Sequence, residues 1–152
     1  MKIKIAICDD EEIIRKQLVN TITEYFSLKN IDIELFEYSN GYSLLKECSK
    51  YIFSFIFLDI DLGEQNGVEI AKMIRKIQTN PVNIVFVTSY AEYQTKVLSI
   101  HTFDYLLKPI AREELNAAID KAVQTLGNTG TCLEKEAPKL SPDEVVARIR
   151  QD

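Results

Sequence analysis

The chain of 152 residues lacks any apolar run near the roughly 18 residues that span a membrane. It lacks the features of a secretory leader too. Met1-Lys2-Ile3-Lys4-Ile5 alternates charged and apolar residues, with no apolar core or small-residue cleavage site. Cysteine is scarce: the three stand singly at 8, 48 and 132, an odd count without metal-type spacing. That argues for reduced thiols in a cytosol. A basic excess is also missing. Eighteen Lys and Arg stand against 23 Asp and Glu, a formal charge of −5, so a basic nucleic-acid surface on this chain is not expected. The one histidine, His101, reads as a loop or packing residue and not as a phosphodonor. What is present is globular in composition, with 46% apolar and 27% charged residues. The length suits one domain with a sizeable core and a short appendage.

Apolar runs alternate with helical patterns. Residues 3–8, 31–37, 53–58, 83–88 and 103–107 read as strands, the third and fourth as buried ones. Residues 12–27, 41–49, 67–78, 91–99 and 112–126 read as helices, the fourth weakly. The last places Leu115, Ala118, Ile119, Ala122, Val123 and Leu126 on one face, with Gly127 where a C′ glycine belongs. Five βα units imply a parallel sheet covered on both faces by right-handed crossovers. The folded unit is expected to end near residue 126. Residues 127–152 form a linker or tail, in which Ser141-Pro142-Asp143-Glu144 resembles a capping box opening a short helix over 142–150.

Open parallel sheets place their sites beyond the carboxyl ends of the strands. The first strand ends in Asp9-Asp10-Glu11, the third in Asp59-Ile60-Asp61, the fourth in Thr88-Ser89 and the fifth in Lys108-Pro109. Ser89 and Tyr90 read as loop residues. Crowded carboxylates repel one another, and a hard divalent cation relieves that strain. An ammonium and a hydroxyl suit the oxygens of a phosphoryl group. A carboxylate can itself be the nucleophile. The set therefore points to phosphoryl transfer onto a carboxylate, with Mg²⁺ neutralising the charge that develops.

Asp9-Asp10, Asp59, Thr88 and Lys108-Pro109 resemble the receiver domain of bacterial two-component response regulators, and the resemblance covers about residues 2–126. It implies an α/β, flavodoxin-like (βα)5 fold, a doubly wound five-stranded parallel sheet of order 2-1-3-4-5. It implies that Asp59 accepts a phosphoryl group from a sensor histidine kinase. Asp10 and Asp59 would bind Mg²⁺ directly, Asp9 through water and Asp61 through its backbone carbonyl. Thr88 and Lys108 would contact the phosphate, and Tyr105 would be the aromatic switch residue that turns inward on activation. Gly67 matches the family glycine eight residues after the acceptor, and the Lys108-Pro109 bond is expected to be cis. Gly63 departs from the pattern, because the family often has proline there, and glycine makes the loop more flexible.

Cys8-Asp9-Asp10-Glu11 and Phe103-Asp104-Tyr105-Leu106-Leu107-Lys108-Pro109 are similar to receivers attached to LytTR-type DNA-binding domains. Such an output domain would need about a hundred further residues, so the chain is expected to be a truncated or a stand-alone receiver. The implied switch is cytoplasmic and forms a homodimer on phosphorylation. It touches neither membrane nor nucleic acid itself, and catalyses only its own phosphorylation and dephosphorylation. Two other classes compete. Asp59-Ile60-Asp61 also fits the Asp-x-Asp nucleophile of haloacid-dehalogenase-like phosphatases, although that motif usually follows a first strand. A flavodoxin-like FMN carrier would need a Ser/Thr/Gly-rich loop where Asp9-Asp10-Glu11 stands, and those acids repel phosphate.

Overall fold

In the computed structural model, which describes residues 2–78, 82–100 and 103–129, the apolar runs pair as one parallel sheet. Its strands are β1 (Ile3–Cys8), β2 (Ile33–Tyr38), β3 (Phe55–Leu58), β4 (Asn83–Thr88) and β5 (Asp104–Leu107). The order is β2-β1-β3-β4-β5, as the resemblance implies. The helices are α1 (Glu12–Leu28), α2 (Gly41–Glu47), α3 (Gly67–Ile77) and α4 (Arg112–Thr129). Alternate residues of the central strands face opposite cores, because side chains on a strand repeat every two positions. Ala6, Ile56, Leu58, Ile84 and Phe86 pack with Leu44, Leu45, Ile70 and Ile74 of α2 and α3. Ile5, Ile7, Phe55, Phe57, Val85 and Val87 pack with Leu18, Ile22, Leu115 and Ile119 of α1 and α4. Edge strand β2 alternates half-buried and exposed residues over most of its length.

Two elements differ from the sequence expectation. Residues 91–99 do not form an α-helix; turns lead into a 3₁₀ helix, Lys96–Ile100. Its buried residues Val97 and Ile100 are three apart, the spacing that a 3₁₀ turn aligns. Arg75 of α3 holds the segment in place, donating from Nε to the Ile100 carbonyl (2.9 Å) and from Nη1 to the Val82 carbonyl (2.7 Å). The last helix does not stop before Gly127 but runs through it to Thr129, since an interior glycine weakens a helix without forbidding it. The helix expected over 142–150, together with His101 and Cys132, lies outside the described residues.

The register fixes the site. Cys8 pairs with Leu58, and the Asp59 amide donates to the Cys8 carbonyl (3.0 Å), so Asp9 and Asp59 leave the sheet side by side. On the far side the Lys108 amide donates to the Thr88 carbonyl (2.8 Å). After Asp59 the chain makes an antiparallel hairpin, Asp61–Leu62 against Gln65–Asn66, turning at Gly63 with φ 75°. Asn66 then caps α3, accepting from the Val68 amide (2.8 Å).

Gly67 is required by this path. A Cβ there would lie 2.0 Å from the Asp59 carbonyl oxygen, while its own amide donates to Ile60 (2.7 Å). Gly67→Ala must push the Asp59 loop outward. Urea denaturation should show a loss of about 1–3 kcal/mol, the usual penalty of overpacking. An unchanged midpoint would mean that the loop yields freely.

Candidate functional site

Three strand ends deliver the central contact. Lys108 follows β5 and extends its Nζ between the acids that follow β3 and β1, 2.9 Å from Asp59 Oδ2 and 2.9 Å from Asp9 Oδ2. The first is a hydrogen bond. The second is a close ion pair whose direction is poor for a hydrogen bond. Both acids are out of water, Asp9 at 1% exposure and Asp59 at 3%, and the lysine side chain is at 8%. Glu11 reaches the same ammonium from the exposed side at 3.4 Å. Oxygens of Asp9, Asp10, Glu11 and Asp59 all lie within 4.8 Å of one another. Such an all-carboxylate donor set at an open rim fits a hard divalent cation. Thr88 is fully buried at the end of β4, the neighbour of β3, and its Oγ1 accepts from the Tyr90 amide (3.4 Å).

The family description for the response regulator receiver domain matches residues 5–120. The chain belongs to that family. It is 33% identical over 151 residues to the sensory transduction protein LytT of Oceanobacillus iheyensis, covering 98% of this chain and 57% of that protein. Against the LytT of Bacillus subtilis the identity is 31%, covering 78% and 47%. The chain thus spans about half the length of the curated relatives it matches. Among solved structures, the response regulatory domain of mrkE from Klebsiella pneumoniae aligns with a TM-score of 0.74 and 25% identity, covering 83% of this chain and 99% of that one. The response regulator TrrA of Thermotoga maritima, solved in complex with Mg²⁺-BeF, aligns at 0.68 with 28% identity, covering 80% and 99%.

As a receiver, the chain places its sequence-predicted site residues on one rim. Asp9, Asp10, Asp59 and Lys108 converge there, and the Lys108-Pro109 bond is cis. Asp61 begins the hairpin. Its amide donates to Asp59 Oδ1 (3.3 Å), and its own Oδ1 accepts from the Gly63 amide (3.3 Å). The alternative phosphatase is not supported: the family matched is the receiver. Tyr105 packs its half-buried ring against Phe86, with centroids 6.0 Å apart, and its hydroxyl donates to the Tyr90 carbonyl. Cys8 is buried, as a small apolar residue would be, and that burial, helped by the charges of Asp9 and Asp59, pushes its thiol pKa up.

Some contacts escaped the sequence reading. Tyr90, read as a loop residue, sends its hydroxyl to Asp61 Oδ2 (3.4 Å). Arg15 Nη1 donates to the Asp9 carbonyl (2.6 Å) and so pins the acid's backbone. Glu11 joins the carboxylate cluster, and the acidic triplet 9–11 was the available signal.

The charges are coupled. Burial alone would favour a neutral Lys108 amine, but the hydrogen bond to Asp59 and the charge of Asp9 outweigh it and raise its pKa. Asp9 is raised, first by burial, against the opposing pull of the Glu11 amide and Lys108. Asp10 is raised by burial and then by repulsion from Asp59, Asp61 and Glu11. A carboxyl raised in the folded state opposes folding once ionised. That penalty is absent below the unfolded pKa of about 3.9 and grows as pH rises through the folded value. Asp10→Asn should therefore stabilise the cation-free protein at pH 7 by about 0.5 kcal/mol, a figure discounted for solvent screening. Urea denaturation in a chelator should show that gain at pH 7 and none below about pH 3.9.

Proposed function

We propose that this receiver takes a phosphoryl group onto Asp59 from a sensor histidine kinase and passes the change to an output domain. The observation that carries the reading is the Lys108 ammonium, 2.9 Å from Asp59 at the carboxyl rim of the sheet. An Asp59 carboxylate oxygen attacks the phosphorus of a phosphohistidine or small acyl phosphate. A new O–P bond forms while the bond from phosphorus to the donor breaks, and the donor leaves with the electron pair. Lys108 holds positive charge against the incoming oxygens, and the Thr88 hydroxyl can donate to one of them. Asp10 and Asp59, with Asp9 through water and the Asp61 carbonyl, would hold Mg²⁺. Bound there, the ion neutralises charge that builds on the phosphoryl oxygens. The protein is thus a switch that acts on itself.

Readout follows from the residues around Thr88. Drawing its hydroxyl toward a phosphoryl oxygen withdraws it from the Tyr90 amide, and the Tyr90 carbonyl is where the Tyr105 hydroxyl rests. Movement of Thr88 thereby reaches Tyr105 and the surface of the 3₁₀ segment, β5 and α4. The partner at that surface is a LytTR-type DNA-binding domain or a second receiver, as in a phosphorylation-driven homodimer. Similarity to the transcriptional regulatory protein LytR of Staphylococcus aureus supports the transcriptional output, and membership of the receiver family supports a cytoplasmic setting. Among the described residues no helix is long and apolar enough to cross a membrane.

Incubation with a small acyl phosphate and Mg²⁺ should add the mass of one phosphoryl group, labile to hydroxylamine and missing in Asp59→Asn. Labelling that persists in this variant would remove Asp59 from the role. Mg²⁺ at about 100 times its dissociation constant should stabilise the parent by roughly 2.7 kcal/mol. Asp10→Ala should lose most of that gain in a thermal melt, and equal shifts in both proteins would contradict the ligand assignment.

A further inference from the structure

Gly63 stands where receivers often carry proline, so no ring stiffens the loop after Asp59. Its φ of 75° lies in the left-handed region, which proline cannot reach. The loop therefore takes another path, a hairpin with two residues in each arm. A ladder that short is not stable alone. Leu62 is its one buried side chain; Asp61, Gly63 and Glu64 are exposed.

A hydrogen bond from outside the loop braces it. Gln65 Oε1 accepts from the Gly41 amide at 2.6 Å. That amide opens α2, where backbone donors have no partner within the helix. Gly41 itself permits the approach, since a Cβ there would lie 2.5 Å from Ile70 Cδ1 and 3.0 Å from Gln65 Oε1. The preceding Asn40 caps α2 through the Ser43 amide (2.9 Å). Two residues earlier, the Tyr38 carbonyl accepts from the Asp9 amide (3.1 Å). Besides the bond from the Asp59 amide to the Cys8 carbonyl, two longer routes join Asp59 and Asp9. Lys108 links their carboxylates, and a second route runs through the hairpin, the Gln65 side chain, the start of α2 and the end of β2.

We propose that Gln65 is a positioning residue for the acceptor site. Its side-chain carbonyl ties the 61–66 hairpin to α2 in place of a loop proline, and so sets how often the Asp61 backbone stands in register with Asp9, Asp10 and Asp59 for a cation. The proposal rests on the acceptor reading above. Without the brace the Gly41 amide loses its partner and the hairpin spends time off the rim. Apparent affinity then falls in proportion to the competent fraction.

The test uses the whole 152-residue chain. Mg²⁺ is titrated against the melting temperature and tyrosine fluorescence, with no phosphoryl donor present. Gln65→Met keeps the length and removes the acceptor. It should bind Mg²⁺ about 5-fold more weakly, equivalent to about 1 kcal/mol at 1.4 kcal/mol per tenfold. Its initial phosphorylation rate from an acyl phosphate should drop at subsaturating Mg²⁺ and recover at saturation. Gln65→Glu keeps an acceptor oxygen. Amide exchange by NMR should find Gly41 protected in the Glu variant, as in the parent, and exposed in the Met variant. If Gln65→Met lowers the melting temperature severely, Gln65→Asn, too short to reach, must show the same loss of Mg²⁺ affinity. Parent-like Mg²⁺ binding in the Met or Asn variant would overturn the proposal, as would a Gly41 amide that stays protected in either. A parent that binds Mg²⁺ but takes no phosphoryl group would overturn the acceptor reading instead.

Discussion

One ammonium organises the molecule's charged rim. Lys108 lies between two buried carboxylates that would otherwise repel each other across the ends of β1 and β3. Removing such groups from water is costly, and only a partner of opposite sign in contact repays it. The lysine is delivered from the loop after β5, two strands away from Asp59. The sheet order is therefore not incidental to the chemistry: β1, β3 and β5 must occupy their places for the three charges to meet. The rim stays short of positive charge even so, since Glu11 and Asp10 add acids that Lys108 alone cannot balance. That imbalance is what gives a divalent cation a reason to bind.

Around this centre the structure separates stiff parts from adjustable ones. The acids are held by backbone: the Asp59 amide on Cys8, the Asp9 amide on Tyr38, the Asp9 carbonyl on Arg15. On the far side, the link from Thr88 to Tyr90 is a single longer hydrogen bond, and the segment beyond it is turns and a 3₁₀ helix. Arg75 fastens the end of that segment at the Ile100 carbonyl. Under the proposed acceptor role, a chemical event at Asp59 would meet resistance from β1 and β3 and much less from the chain after β4, which would direct its effect toward Tyr105.

Much of this was legible in the sequence, for identifiable reasons. Buried strands such as Phe55–Leu58 and Asn83–Thr88 are short apolar runs, and α3 and α4 repeat their apolar residues at helical spacing. The strand-end rule then collected Asp9, Asp10, Asp59, Thr88 and Lys108 before any geometry was known. The misses share a cause. Residues 91–99 carry helix-compatible residues, but the packing of Val97 and Ile100 and the Arg75 clamp decide their form. The Gln65 brace and the Tyr90–Asp61 contact join residues far apart in the chain, and the hairpin has arms of two residues, too short for alternation, so none leaves a periodic trace. Gly63 was visible as a departure from proline, yet its left-handed backbone was not.

The placement of Lys108 also bears on how the protein matures. Its partners Asp9 and Asp59 belong to the first and third strands, while the lysine follows the last strand of the sheet. A chain still emerging from the ribosome, or one whose β5 has not docked, holds the acids without their counter-charge. The two ion pairs that offset the burial of Asp9 and Asp59 are therefore contacts that the fold can complete only once its final strand is in place.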